Sequence, residues 1–282
     1  MKKFRIVTLI LVLALSLAAC GGSKSGSIRI AVPNDTTNEA RALLLLEAGG
    51  IIKLKEGAGI TATRSDVAEN PYHVEIVEAE AAQLPNVLQD VDFAVINSNY
   101  AINAGLNPVE DALLIEGSYS AYANILAVKE GRENEPAIRA LVAALESKAV
   151  ADFITGKYGG AVVSTVEQPG TGYDDNLDYD ALKGTTITVA ASPTPHAEIL
   201  AVAREILAAR DITLAIQEFN DYVVPNTVVE DGTVDANYFQ HVPYLEDFNK
   251  EQGTHIVSVS AVHVEPMGLY GGKQADLSLL GK

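Results

Sequence analysis

The sequence predicts an α/β protein of two lobes with mostly parallel sheets. Apolar strand-like runs alternate with helical patterns, and short turns between them suit right-handed βαβ units. Roughly 260 of the 282 residues follow an N-terminal targeting segment, enough for two lobes of ordinary domain size.

The targeting segment has three parts. Lys2, Lys3 and Arg5 give a positive start, 6–17 is an apolar run too short to span a bilayer, and Leu17-Ala18-Ala19-Cys20 closes it. Small residues before the single cysteine of the chain resemble the site cut by lipoprotein signal peptidase. Residues 1–20 therefore read as a lipoprotein signal peptide, Cys20 as the lipidated residue and 21–26 as a flexible Gly/Ser tether. The alternative is an ordinary secretory signal with an incidental cysteine, for which the chain offers no disulfide partner.

The first strand is expected at 28–32. A helix follows over Thr36–Ala48, started by the capping-box spacing Thr36-Thr37-Asn38-Glu39 and stopped by Gly49-Gly50. Strands are expected at 74–77, 91–97 and 121–129, and a helix over Pro136–Leu145. From 159 to 184 the period lapses into Gly159-Gly160, Gln168-Pro169-Gly170, Gly172 and an acidic run, which reads as a linker or a long surface loop. Order resumes with a strand over Thr186–Ala191. Thr194-Pro195 then offers an N-cap and a first-turn proline to a helix with Ile199, Val202, Ala203 and Ile206 on one face. Strand 212–219, helix 223–230, strand 234–239, helix 243–252 and strand 256–262 complete the pattern. Ligands of such sheets bind beyond the carboxyl ends of the strands, which places a site in the cleft between lobes.

A formal charge of −17 argues against nucleic acid, because no basic face could neutralise phosphates. Beyond the signal no stretch is apolar enough to cross a membrane. Four segments gather polar and aromatic side chains where strands end. In 31–41, Arg41 lies within two turns of a helix start, where free N–H groups already favour an anion; spacing alone leaves open a carboxylate clamp or a solvated arginine. In 93–100 and 119–126, Asn97 and Asn124 offer both donor and acceptor to a zwitterion, or simply serve turns. In 220–222 and 235–244, Tyr222, Tyr238, Phe239, His241 and Tyr244 make either an apolar slot with a polar rim or a core aromatic cluster. Sulfur over aromatic edges would suit a thioether in such a slot.

Catalytic and metal signals are thin. The five histidines (His73, His196, His241, His255 and His263) show no paired ligand spacing, and His196-Ala197-Glu198 reads as a capping contact. No nucleophile elbow, phosphate loop or dinucleotide fingerprint occurs, so an enzyme is disfavoured and no metal or cofactor is expected.

Several of these stretches resemble the methionine-binding lipoproteins of ABC importers, the MetQ/NlpA family. They are 32–35 with 38–41, Gln83-Leu84-Pro85, Ala94-Val95-Ile96-Asn97, 192–199, 219–226, 235–241 and Glu265-Pro266-Met267. The resemblance implies a two-lobed, type II periplasmic-binding fold that closes at a hinge on methionine outside the cell and delivers it to a permease and ATPase complex. It also implies a rotated order. Family members begin with the stretch that here starts near Thr186, and the stretch that starts near Ile28 follows the equivalent of Lys273. The chain therefore resembles a circular permutant, with 159–184 bridging the family's usual ends.

In that order one lobe is 27–118 plus 265–282 and the other is 119–264, containing the linker 159–184. By motif, Arg41 takes the ligand carboxylate, while Asn97 and Asn124 hold the amino-acid backbone. Tyr222, Phe239 and His241 line the side-chain slot, with Asn38, Asn237 and Tyr244 in support. Rivals are another amino acid, a methionine-containing dipeptide, a surface interaction lipoprotein that kept the fold without uptake, and, more remotely, a hydrolase.

Overall fold

A computed structural model describes residues 27–117 and 120–282. The signal 1–20 with Cys20, the tether 21–26 and the lobe boundary at 118 lie outside the described residues.

β1 (Arg29–Pro33) is buried on both faces from its second residue onward, and it runs into α1 (Thr36–Ala48). Asp35, not Thr36, caps this helix: its carboxylate accepts the Asn38 N–H at 3.0 Å. Glu39 turns away and accepts the Arg64 N–H at 2.8 Å. An aspartate one position upstream offers an acidic acceptor to the same free N–H groups, where the helix dipole favours it over a hydroxyl. A ribbon of β2 (Lys53–Leu54) and β3 (Val67–Glu69) follows. Then come β4 (Glu75–Ala79), α2 (Leu84–Val87), β5 (Phe93–Ile96), α3 (Ser98–Asn103) and β6 (Ala112–Ile115).

The chain next enters the second lobe. There it forms β7 (Asn124–Lys129), α4 (Pro136–Leu145), α5 (Lys148–Tyr158), β8 (Val163–Ser164), β9 (Thr186–Ala191) and α6 (Glu198–Ala208). It continues through β10 (Thr213–Glu218), α7 (Val224–Glu230), β11 (Ala236–His241), α8 (Val242–Gln252) and β12 (Ile256–Val264). β13 (Gly268–Gly271) then returns to the first sheet, giving the two-lobed α/β arrangement expected.

The first sheet has the order β4-β1-β5-β13-β6 and the second β10-β9-β11-β7-β12-β8. Each core follows one plan: three strands in the order second-first-third, then one strand arriving from the other lobe, then the fourth. The expectation of mostly parallel sheets needs correction, because antiparallel pairings outnumber parallel ones among the described residues. Strands β1, β4 and β5, and likewise β9, β10 and β11, follow one another within a lobe through helical crossovers and are parallel. Strands on either side of a lobe crossing, β6 with β13 and β7 with β12, escape that constraint and pair antiparallel.

Alternation along the strands fills both faces of each sheet. Ile30, Val32, Phe93 and Val95 pack under α1, whereas Ala31, Ala94 and Ile96 meet Leu84 and Tyr100 on the other side. In the second lobe Leu126 and Val128 face Leu141, Ile199 and Leu200, while Ile125 and Ala127 face Val229 and Leu245. Each such fully buried aliphatic side chain contributes about 1.5–3 kcal/mol by leaving water.

The stretch 159–184 is more built than a free linker. β8 lies within it, on the edge of β12. Leu177, Tyr179 and Leu182 pack on the second-lobe core, the Tyr173 hydroxyl donates to the Ile206 carbonyl at 3.1 Å, and Arg210 lies 4.5 Å from the Tyr173 ring centroid. Among the described residues no helix is long and apolar enough to cross a membrane.

Candidate functional site

The carboxyl ends of β1, β5, β9, β10 and β11 converge on one cavity lined by polar and aromatic side chains. β7 runs antiparallel to β11, so its first residue joins them: Asn124 stands opposite His241. Every residue expected at the site lines this cavity except Asn237. Asn237 lies behind the wall, where its amide donates to the Pro225 carbonyl at 3.0 Å and accepts from Gln240 at 3.0 Å.

Arg41 is not a solvated arginine. It is 5% exposed. Its Nε donates to both Glu116 oxygens at 2.9 Å, and Nη2 donates to Glu116 and, at 2.7 Å, to the Glu265 carbonyl. Its Cζ stands 4.5 Å from the centre of the Tyr122 ring, and the Met267 N–H donates to Glu116 at 3.1 Å. Both lobe crossings thus hold one edge of the guanidinium. The other nitrogen, Nη1, has no partner among the described residues, which leaves that edge free for an anion.

A chain of amides fixes the polarity next to it. Asp35 accepts from the Asn38 amide nitrogen at 2.9 Å, so the Asn38 oxygen is turned toward Asn97 and accepts from its nitrogen at 2.9 Å. The Asn97 oxygen is thereby left buried with no partner. Burial raises the Asp35 carboxyl pKa above its ordinary value, opposed by its bonds from Asn38 and Thr37.

The aromatic segment forms a slot. Tyr222 and Phe239 have ring centres 5.8 Å apart, and Tyr244 lies 5.9 Å from Tyr222 and 6.1 Å from Phe239. The Tyr222 hydroxyl is spent on Asn99 at 2.7 Å, across the cleft, and the Tyr244 hydroxyl on the Tyr222 carbonyl at 3.0 Å. With both hydroxyls engaged, the slot offers ring surface to an apolar side chain. Burial raises the pKa of both phenols. His241 caps α8 by accepting the Tyr244 N–H at 3.2 Å, and burial, helped by the Arg41 charge, holds its pKa down at about 3. Its imidazole is neutral.

Below the cavity lies a cluster that sequence reading did not find. Glu265 Oε1 is 2.8 Å from His263 Nε2 and 3.2 Å from His196 Nε2. His196 also bonds the Asn124 oxygen at 2.8 Å, and His263 Nδ1 meets the Tyr238 hydroxyl. Burial pushes both imidazoles down to about 3 and raises Glu265, against the lowering effect of His196 and Arg41. His196 and Glu265 line the cavity, as do Ser98, Asn99 and Gln240. These last three fall inside segments already singled out. Glu265 stands in the Glu265-Pro266-Met267 stretch that carries the resemblance, but with no site role attached to it. The donor set of His196, His263 and Glu265 would suit a metal ion in residue type, but short bonds among the three already engage these atoms.

A family model described as NlpA lipoprotein matches residues 24–166 and 187–282. Membrane lipoprotein TpN32 of Treponema pallidum is 47% identical over 135 residues, 48% of this chain and 50% of that protein. D-methionine-binding lipoprotein MetQ of Yersinia pestis is 40% identical over 137 residues, 48% of this chain and 51% of that protein. A solved nutrient binding protein from Burkholderia cenocepacia bound to methionine is 47% identical, covers 51% of this chain and 62% of its own, and superposes with a TM-score of 0.47. The chain spans about half the length of the curated relatives it matches.

Proposed function

Because this chain belongs to the NlpA lipoprotein family, we propose that it is a lipid-anchored, extracytoplasmic binding protein, not an enzyme, that captures methionine between its lobes and hands it to an ABC transporter. One observation carries the reading: a buried guanidinium with one free edge stands in the same cavity as an aromatic slot without free hydroxyls. Arg41 takes the ligand carboxylate. Asn97 and Asn124 hold its backbone, Tyr222, Phe239 and His241 receive the thioether, and Asn38, Tyr244 and Asn237 support them. Two relatives support the ligand by name or by what they were solved with. The lobes are 27–118 with 265–282, and 119–264, and Cys20 carries the lipid.

The rotated order belongs to the same proposal. Each curated relative aligns over about half of its length, whereas the family model matches most of the chain in two blocks. Ile28, Leu277 and Leu280 share one core cluster, so the two stretches that the family order would join already meet in one lobe.

A thermal-shift panel tests the ligand. At a hundred times its dissociation constant, methionine adds about 2.7 kcal/mol, which raises Tm by roughly 5–10 °C for a chain of this size. A panel of free amino acids and methionine dipeptides without any shift would favour the surface-lipoprotein alternative.

A further inference from the structure

The strand that carries Phe239 is irregular where it reaches the cavity. Along its ladder with β7, Tyr238 stands opposite Leu126 and Gln240 opposite Ile125, so Phe239 is an extra residue with no partner in β7. In a regular strand, residues three apart point to opposite faces. Here Asn237 and Gln240 both reach Asn226 on α7. The Asn226 amide donates to the Gln240 oxygen at 2.9 Å, and the Asn226 oxygen accepts from Asn237 at 2.8 Å and from Gln240 at 2.7 Å. Gln240 also donates to the Asn237 oxygen at 3.0 Å, and Asn237 to the Pro225 carbonyl at 3.0 Å. Every side-chain nitrogen and oxygen of the trio is therefore bonded, and Asn226 and Asn237 are fully buried.

A regular β11 would turn Gln240 to the far face of the sheet and leave Asn226 and Asn237 with unpaired buried atoms, which costs more than a made bond gains. Only the bulged register satisfies all three amides. The bulge in turn releases Phe239 from the ladder, and its ring meets Tyr222. The other wall of the slot has the same anchor, because Tyr222 stands just before α7, the helix that carries Asn226. Asn226 itself does not line the cavity. We infer that Asn226 is a positioning residue: through Asn237 and Gln240 it holds the bulge at Phe239 and so sets how strongly the aromatic slot discriminates between ligand side chains. This inference rests on the proposed amino-acid site, but it concerns the slot alone.

Binding to the full chain in detergent tests it with two ligands: methionine by calorimetry, and 2-aminobutanoate, the same amino acid cut back before the sulfur, by displacement. The wild-type protein should prefer methionine roughly 100-fold or more, since each apolar group lost from a pocket costs about tenfold or more. Asn226→Ala, checked for native near-UV circular dichroism, should narrow that gap to about tenfold or less while holding 2-aminobutanoate within about threefold of its wild-type affinity. A merely structural role would weaken both ligands by one factor, so a folded variant that keeps the wild-type gap overturns the role of Asn226 and leaves the site standing. Should Asn226→Ala not fold, Asn226→Ser, which can bond one partner amide but not both, carries the same comparison; failure of both to fold makes Asn226 a residue of folding and overturns the role. A wild-type gap below tenfold overturns it without any variant. Binding of neither ligand by the folded wild type removes the amino-acid site itself.

Discussion

Acid should unfold this protein through three imidazoles. His196, His241 and His263 are buried, and burial holds each down to about 3 in the folded chain, whereas an unfolded histidine titrates near 6.5. The folded state keeps them neutral while the unfolded state takes up protons, so their contribution is complete above about pH 6.5 and drains as pH falls toward 3. At pH 5.5 each unfolded ring has gained about 1.4 kcal/mol from protonation, so the three together remove about 4 kcal/mol; by pH 4.5 the loss is about 8 kcal/mol. Glu265, Asp35 and Glu39 act in the opposite sense, because burial raises them and they take up protons first in the folded state. Against a total stability of about 5–15 kcal/mol, unfolding should set in between about pH 5.5 and pH 4. Urea midpoints followed by far-UV circular dichroism at pH 7.5, 6.5, 5.5 and 5.0 check this. The midpoint should hold above pH 6.5 and fall steeply below it, and a flat profile down to pH 5 would refute neutral burial of these rings.

Two further outcomes follow from the site and from the chain order. Arg41→Ala should weaken methionine binding roughly 100-fold or more and cost about 3–5 kcal/mol of stability, since Glu116 would be left as an unpaired buried carboxylate; unchanged affinity in the folded variant would remove Arg41 from the ligand's carboxylate. A chain re-cut to start at Thr186, with 282 joined to 27 by a short flexible linker and 159–184 kept at its new C-terminus, should unfold cooperatively and bind as the present one does, its stability checked by urea denaturation. Loss of cooperative unfolding would count against the permuted order.

Much of the site was legible because its residues sit in short segments at strand ends. Asn97, Phe239 and His241 lie in or next to a strand, and Arg41 lies in the first turns of the helix after β1, so a local pattern can flag them. What local reading leaves open, as for Arg41, is whether the side chain faces water or a cavity. Glu116 and Glu265, which hold and complement Arg41, lie 75 and 224 residues away in sequence. No spacing rule connects positions that meet only because the chain crosses twice between lobes. The same crossings defeated the expectation of mostly parallel sheets, since helical patterning predicts only those strands that a crossover helix links. The cap of α1 shows a smaller limit: Asp35 and Thr36 both fit the pattern, and only the placement of Arg64 shows where Glu39 goes.

The central claim is that the cavity between Arg41 and the aromatic slot is a methionine site. Titrating methionine into the full chain in detergent by isothermal calorimetry tests it most directly. The account predicts saturable heat with a stoichiometry near one, weakened roughly 100-fold or more in folded Arg41→Ala. A natively folded protein that takes up no methionine, by heat or by competition with other amino acids, would contradict it.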